Sequence, residues 1–476
     1  MLYELLKTLQ QELEPVVQSL PGGYYTLLDC DQREDLRKAG MDVLNNLPRL
    51  TNALAPVNRL PPEILGTIPK YREQDEDRMR VVTLSNVCSY WRNTFIAMPS
   101  LWTEFNGRDA EMSRISIERS GVLPIQLVVE GAPDPGVLEL LAPHFPRLDV
   151  VSFDLSVLGR GGPDTQVVPM HGEFPSLERL QLKDLQLSIN DVRTPKLRVL
   201  KLTRTYDFAN LLDFLETCPL LENLELRLHH LNGEPPGARR KVVWDNLKTI
   251  VLCGHGLKIL QHTSLPPGVE AGLYGPMILR DLTGHRNDGN LFNLQAWTHL
   301  PMFRQSESLS LRIASTYQLI SLKGPGGNMG LKTRFHPHLN CVGLLIQFTR
   351  PSVDTIQNLE IDGVRLSGEN AAVFEVVSDL LRPLHGLRSL KLVHTTPSPW
   401  IQVLDQNYCP RLWNLTLWES PPPSCEDLIR FVMGRSGAGV PISRLSLTKD
   451  IQKFFYTRED VERLEKYVRC VEWDPK

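Results

Sequence analysis

The chain has 476 residues, 42% hydrophobic and 22% charged, with Lys+Arg 52 against Asp+Glu 55 and a formal net charge of -3. These values exclude wholesale disorder, and the near balance of charge argues against a nucleic-acid partner, whose binder carries a basic surplus. No stretch reaches the ~20 apolar residues of a membrane span, and residues 1–7 lack the basic-then-apolar pattern of a secretory signal. A cytoplasmic or nuclear protein with no membrane partner is expected. The 8 cysteines are scattered, without a Cys-x-x-Cys pair, so reduced and mostly buried thiols are expected.

At the N-terminus, Leu2, Leu5, Leu6, Leu9, Leu13 and Val16 share one face of a helix over 2–17, which Pro21-Gly22-Gly23 ends. A second helix carries Leu36, Val43, Leu44 and Leu47 and is expected to stop before Pro48. This segment, 1–54, reads either as a helical hairpin packed on its C-terminal neighbour or as a short dimerising element.

The next segment, 55–105, reads as small and all-helical. Pro61 and Pro62 suit a first helical turn, where a missing N–H costs little, and Ile64, Leu65 and Ile68 supply its apolar side. Gly66-Thr67-Ile68-Pro69 breaks that helix early, and the charged run 72–78 reads as a solvated loop. Leu84, Val87, Cys88, Trp91 and Phe95 then fall at i, i+3, i+4, i+7 and i+11, an apolar stripe expected along one helix. Trp102 follows the break at Pro99.

From 106 to 476 the chain repeats Leu-x-x-Leu-x-Leu. After a buried strand at 123–129, rungs stand at Leu148/Val151/Phe153, Leu177/Leu180/Leu182, Leu197/Leu200/Leu202, Leu221/Leu224/Leu226 and Leu247/Ile250/Leu252. They resume at Ile356/Leu359/Ile361, Leu387/Leu390/Leu392, Leu412/Leu415/Leu417 and Ile442/Leu445/Leu447. Their spacing of about 20 to 31 residues is that of leucine-rich repeats. The fold class is therefore α/β: N-terminal helices, then a horseshoe solenoid with a parallel sheet on its concave side. Helices are expected between rungs at 208–218 and 371–384. Residues 254–350 are irregular, with Leu309/Leu311 and Leu339/Val342/Leu344 as degraded rungs and Gly324-Pro325-Gly326-Gly327 as a flexible turn. Thr457 and Asp460 form a capping pair, and Trp473 is expected to seal the last rung.

In each rung the last two apolar residues should point inward and the residues between them outward. Among or beside the outward residues, Lys391, Trp413 and Arg444 are the candidates for substrate contact, aromatic and Arg side chains being strong contributors to interfaces. Motifs of catalysis are lacking. Gly330-Leu331-Lys332-Thr333 misses the phosphate-loop register, there is no Gly-x-Ser-x-Gly or His-Glu-x-x-His, and Gly434-Arg435-Ser436-Gly437 reads as a turn. His229-His230 and His336-Pro337-His338 lack metal-spaced partners. No enzymatic activity, cofactor or metal is expected.

The pieces Leu60-Pro61-Pro62-Glu63-Ile64-Leu65, Val82-Thr83-Leu84-Ser85-Asn86-Val87-Cys88, Trp91-Arg92 and Pro99-Ser100-Leu101-Trp102 stand in an order and spacing that resembles the F-box of fungal, basidiomycete-type F-box proteins. Leucine-rich repeats are the usual companion of that motif. The resemblance implies the substrate-recruiting subunit of a Skp–cullin–F-box (cullin–RING) ubiquitin ligase. In it Leu60, Pro61, Ile64 and Leu65 would meet the Skp adaptor, Val87 and Trp91 would shape or join that surface, and the repeats would hold a protein substrate. The alternative is a non-catalytic repeat scaffold whose F-box-like patch is a structural cap or a ligase-independent docking module.

Overall fold

The computed structural model describes residues 8, 11, 15, 30–70, 80–131, 134–154, 167–168, 172–183, 186–187, 192–203, 206–228, 231–232, 241–275, 299–313, 317–334, 353–364, 371–406, 408–421, 423–448 and 456–473. The charged run 72–78, both histidine clusters and the rung Leu339/Val342/Leu344 lie outside these residues, as does the 2–17 helix apart from Thr8, Gln11 and Pro15, which are helical. The chain divides into two compact units, Met1–Ser152 and Phe153–Lys476.

The first unit opens on helix α1 (Cys30–Leu54), which runs through Pro48 instead of stopping there. The missing N–H removes one donor, but the turns on either side hold: Leu47 and Thr51 are both buried, and the Thr51 hydroxyl donates to the Leu47 carbonyl at 2.9 Å. After a 3-10 turn (Pro56–Arg59), α2 spans only Pro62–Leu65, entered from Pro61 in extended backbone and ended at Gly66. A Cβ at Gly66 would stand 2.6 Å from Met98 Sδ, so this stop also makes room for a core-side neighbour.

The stripe expected along one helix lies on two, α3 (Arg80–Ser85) and α4 (Ser89–Ile96). The Ser85 hydroxyl donates to the Val82 carbonyl at 2.7 Å, and the Asn86 and Val87 amides close back on Thr83 and Leu84. Cys88 is fully extended (φ -161, ψ 172). Ser and Asn compete for the backbone bonds a continuous helix would need. Leu65, Trp91 and Phe95 form the core, with Leu60, Ile68, Val81, Leu84, Cys88 and Leu101 packed against it. The Trp91 and Phe95 rings meet edge to face, 5.6 Å between centroids. Beyond it lie β1 (Glu104–Phe105), α5 (Ala110–Arg119) and β2 (Ile125–Glu130), with β1 and β2 parallel. Strand β3 (Leu148–Asp154) carries the rung Leu148/Val151/Phe153, all buried.

The second unit is mixed α/β around a large, mostly parallel sheet. Its strands are β4 (Arg179–Lys183), β5 (Val199–Thr203), β6 (Asn223–Leu228), β7 (Thr249–Gly254) and β8 (Glu270–Gly275). Then come β9 (Ser308–Ile313), β10 (Tyr317–Gly324), β11 (Gly327–Arg334) and β12 (Asn358–Asp362), followed by β13 (Ser389–Val393), β14 (Asn414–Trp418), β15 (Arg444–Leu447) and β16 (Cys470–Trp473). Their order is β4-β5-β6-β7-β8-β11-β10-β9-β12-β13-β14-β15-β16, and within it only β10 is antiparallel to its neighbours. Leucine pairs with leucine: Leu180, Leu200, Leu224 and Ile250 are in register, as are Leu359, Leu390, Leu415 and Leu445. All eight are buried. Helices α6 (Phe208–Glu216), α7 (Ala371–Leu381), α8 (Ser398–Leu404), α9 (Cys425–Gly437) and α10 (Arg458–Glu465) lie between strands, two of them where the spacing of the rungs left room.

The irregular region contains more sheet than its sequence suggests. Strand β8 was not anticipated, and Gly324–Gly327, expected as a flexible turn, is the tight turn of the β10–β11 hairpin. It is held closely: a Cβ at Gly326 would run into the Pro301 carbonyl, and one at Gly327 (φ 118) would reach the Val269 carbonyl at 2.5 Å. Gly434–Gly437 is likewise the last turn of α9 and not a loop. Its Arg435 is 1% exposed and donates to the carbonyls of Cys409 (3.0 Å), Leu412 (3.1 Å) and Val440 (3.1 Å).

At the ends of β7, β12, β13 and β14 the backbone turns through left-handed residues at one equivalent position, Gly254 (φ 61), Gly363 (φ 79), His394 (φ 46) and Glu419 (φ 46). The next residues on β13 and β14, Thr395 and Ser420, are buried hydroxyls. Thr395 donates to the Ile361 and Val393 carbonyls (3.2 and 2.7 Å), and Ser420 to those of Leu392 and Trp418 (both 3.1 Å). These bonds add to the backbone amides that the Val393 and Trp418 carbonyls already accept from Gly363 and His394, and tie adjacent turns together.

Candidate interaction surfaces

In the first unit the expected adaptor residues separate into two groups. Pro61 is exposed, Ile64 is 49% exposed and Val87 55% exposed. Leu65 is fully buried and Trp91 is 7% exposed, so these two support the surface from beneath and are not on it. The split follows from the helix break: with Asn86–Cys88 out of helical geometry, Val87 turns away from the stripe that carries Trp91 and Phe95. Leu60 is half-buried, and its carbonyl accepts from the Tyr90 hydroxyl at 3.2 Å, while the Trp91 Nε1–H donates to Asn58 Oδ1 at 2.5 Å. These two bonds tie α4 to the residues just before α2. Val57, Tyr90 and Ile96 are further exposed apolar side chains of 55–105 that sequence reasoning did not single out. Tyr90 and Ile96 lie off the Leu84/Cys88/Trp91/Phe95 spacing, which was the available signal.

In the second unit the outward residues form a row that strand register places side by side. At one end it reads Gln181, Lys201, Glu225. The middle is Val251, Gly272, Gly330, Ser321, Ser310. Glu360, Lys391, Thr416, Ser446 and Glu472 complete it at the other end. Polar contacts link neighbouring strands: the Thr249 hydroxyl donates to Asn223 (2.6 Å), and Asn358 and Asn414 amides donate to Ser308 (3.2 Å) and Ser389 (3.0 Å).

The three substrate candidates are placed unequally. Lys391 pairs with Glu360 at 3.0 Å. Arg444 pairs with Glu472 through both Nε (3.0 Å) and a terminal nitrogen (2.8 Å), a bond that raises the arginine pKa and lowers that of the carboxyl. Trp413 is 44% exposed. Ser446, expected outward, is 2% exposed. Two hollows mark the face, one of about 370 Å³ over β4–β7 and one of about 340 Å³ over β7, β8, β11 and β10; Thr249 and Val251 line both. The cysteines are less uniformly covered than expected: Cys218 and Cys409 are buried, Cys88, Cys253 and Cys425 half-buried, and Cys470 exposed. Among the described residues no cluster of three or more His, Cys, Asp or Glu side chains could hold a metal ion, and no helix is long and apolar enough to cross a membrane.

No protein-family model matches this chain, and no curated protein matches its sequence.

Proposed function

We propose that the chain is the substrate-recruiting subunit of a Skp–cullin–F-box type ubiquitin ligase. In this reading the 55–105 segment is an F-box that binds the Skp adaptor and through it a cullin–RING ligase. The sheet unit is a leucine-rich-repeat solenoid that holds a protein substrate, and the chain itself does no bond chemistry. The observation that carries the reading is the exposure of Ile64 and Val87 beside a core already completed by Leu65, Trp91 and Phe95. Apolar side chains left outside a finished core are suited to cover by a partner.

The test is capture of the Skp adaptor by the full chain. Wild type should retain adaptor and cullin, and Ile64→Lys with Val87→Lys should lose both while melting as wild type does, because neither side chain is buried. Capture undiminished in the double variant, or absent from wild type, would sink the reading in favour of a scaffold whose patch docks elsewhere.

A further inference from the structure

We infer that the second unit binds an acidic, extended polypeptide segment lying across strands β7, β8, β11, β10 and β9, in the trough floored by Val251, Gly272, Gly330, Ser321 and Ser310. The inference rests on the proposed function in naming the class of segment by which a substrate would be held.

The floor is unusual for the row it belongs to. To either side the outward residues are charged and paired, Lys201 with Glu225 at 3.4 Å and Lys391 with Glu360 at 3.0 Å. Between those pairs five strands in succession present no charge, and two of them present no side chain. Gly272 and Gly330 are direct neighbours across β8 and β11. At Gly330 the backbone is open to close approach, since a Cβ built there would meet only Leu319, at 3.8 Å, while at Gly272 the Tyr274 ring stands 3.2 Å from where a Cβ would be and forms part of the floor. Five strands at ~4.8 Å spacing give a trough of ~20 Å, enough for about six residues of extended chain.

The charge around the floor selects the occupant. On the outward face of β5–β11, Lys201 is half-buried and Arg227, Arg312, Lys323 and Lys332 are exposed, while Glu225 and Glu270 are the carboxylates of those strands on that face. Lys201 and Arg227 share Glu225, and Arg312 is held by Asp362 at 2.8 Å. No carboxylate among the described residues pairs with Lys323 or Lys332; Lys332 lies over the Tyr317 ring at 4.3 Å. These two lysines flank Gly330 on opposite sides of the row, one toward each end of the strands. A chain of net charge -3 thus carries a locally basic face. A polypeptide fits it better than a nucleic acid. Two lysines without a carboxylate partner are too few for a phosphate backbone, whose binders neutralise several phosphates at once, but they suffice to hold carboxylates of a peptide seated on the floor.

Fluorescence anisotropy with the full chain and labelled hexaglutamate tests this, with hexaserine and a 20-nucleotide oligothymidylate as comparison probes. Hexaglutamate should bind and hexaserine should not. Lys323→Glu with Lys332→Glu should weaken hexaglutamate binding by about tenfold or more, and Gly330→Leu, which fills the trough without touching its charge, should weaken it comparably. Lys466→Glu, an exposed residue at the C-terminal end of α10, should leave it unchanged. The inference fails if wild type does not bind hexaglutamate, if either trough variant binds as wild type does, or if oligothymidylate binds more tightly than the peptide. Adaptor capture by the same variants separates the two ideas: loss of peptide binding with capture retained concerns the trough alone, and absence of capture from wild type concerns the ligase reading alone.

Discussion

The imidazole of His394 stands between two carboxylates, with Nε2 2.6 Å from Glu419 and Nδ1 3.0 Å from Asp362. Both ionised carboxylates can only accept, and a neutral imidazole has a single N–H, so this arrangement is fully satisfied by imidazolium. His394 and Glu419 hold left-handed backbone (φ 46 each) where the corresponding positions of β7 and β12 are glycine. The paired side chains thus occupy a turn conformation that L residues rarely adopt.

The hydrogen bond to Asp362, aided by the charges of Asp362 and Glu419, holds the His394 pKa above its ordinary 6.5. A raised folded-state pKa contributes stability that is fully present below the unfolded value and lost as pH rises through the folded one. The melting temperature of wild type should therefore fall, from this source, as pH is raised above 6.5, and His394→Gln should remove that component. Arg312 also binds Asp362, at 2.8 Å. NMR titration of the His394 ring reads the same event directly, and a midpoint at or below 6.5 would contradict it.

Leu200→Ala or Leu390→Ala should cost roughly 2 to 5 kcal/mol, because both side chains are fully buried and the ladder around them cannot collapse onto the cavity. Lys201→Ala should stay within about 0.5 kcal/mol, its ion pair with Glu225 being partly solvated. Equal losses in urea unfolding would mean that the inward and outward faces had been exchanged.

Leu65→Ala and Ile64→Ala, one residue apart, should diverge in the same way. The first empties the Leu65/Trp91/Phe95 core and should cost about 2 to 5 kcal/mol. The second alters a half-exposed side chain and should be near-neutral to stability. Thermal melts of the two single variants check this.

Arg435→Ala should be among the most damaging polar substitutions. It takes a charged donor away from the carbonyls of Cys409, Leu412 and Val440, and hydrogen bonds to a charged group contribute about 1.5 to 3 kcal/mol each. A loss below about 1 kcal/mol would show that water replaces the guanidinium.

Burial pushes the thiols of Cys218 and Cys409 up, to about 11 and about 12. At pH 8 iodoacetamide should modify the exposed Cys470 well before either of them in the native protein. Early labelling of Cys218, read by peptide mass spectrometry, would indicate local opening of the turn after α6.

The rungs were legible because burial of alternate leucines is a period-two demand that the sequence states at each repeat, and Leu180, Leu200, Leu390 and Leu415 all stand where that demand puts them. The helix start at Pro61-Pro62 and the Thr457–Asp460 cap were legible for the same reason: each is a local device. What escaped was non-local or competitive. Strand β8 contributes Ala271 and Gly272, which announce no strand until β7 and β11 flank them. Gln318, buried in β10, breaks the apolar alternation that would have identified the hairpin. The interruption between α3 and α4 was hidden by a stripe that continues across it, and it decides that Val87 is exposed while Trp91 is not. Arg435 sits between glycines, so its sequence context points to a turn, while two of the three carbonyls that hold it, those of Cys409 and Leu412, are more than twenty residues away.

The single reversed strand, β10, has a consequence for the order in which the sheet is assembled. Going along the chain from β8 to β9, two places in the sheet are passed over, and the hairpin β10–β11 later turns back to occupy them. Its last strand closes against β8, with Glu270 beside Asn328, the pairing that joins neighbours most widely separated in sequence. Loop-closure entropy places such a contact, like the β9–β12 pairing, among the later ones to form. The β4–β8 run and the β12–β16 run can each zip up by local pairing, and the two joins on either side of the hairpin, β8 with β11 and β9 with β12, are where they become one sheet.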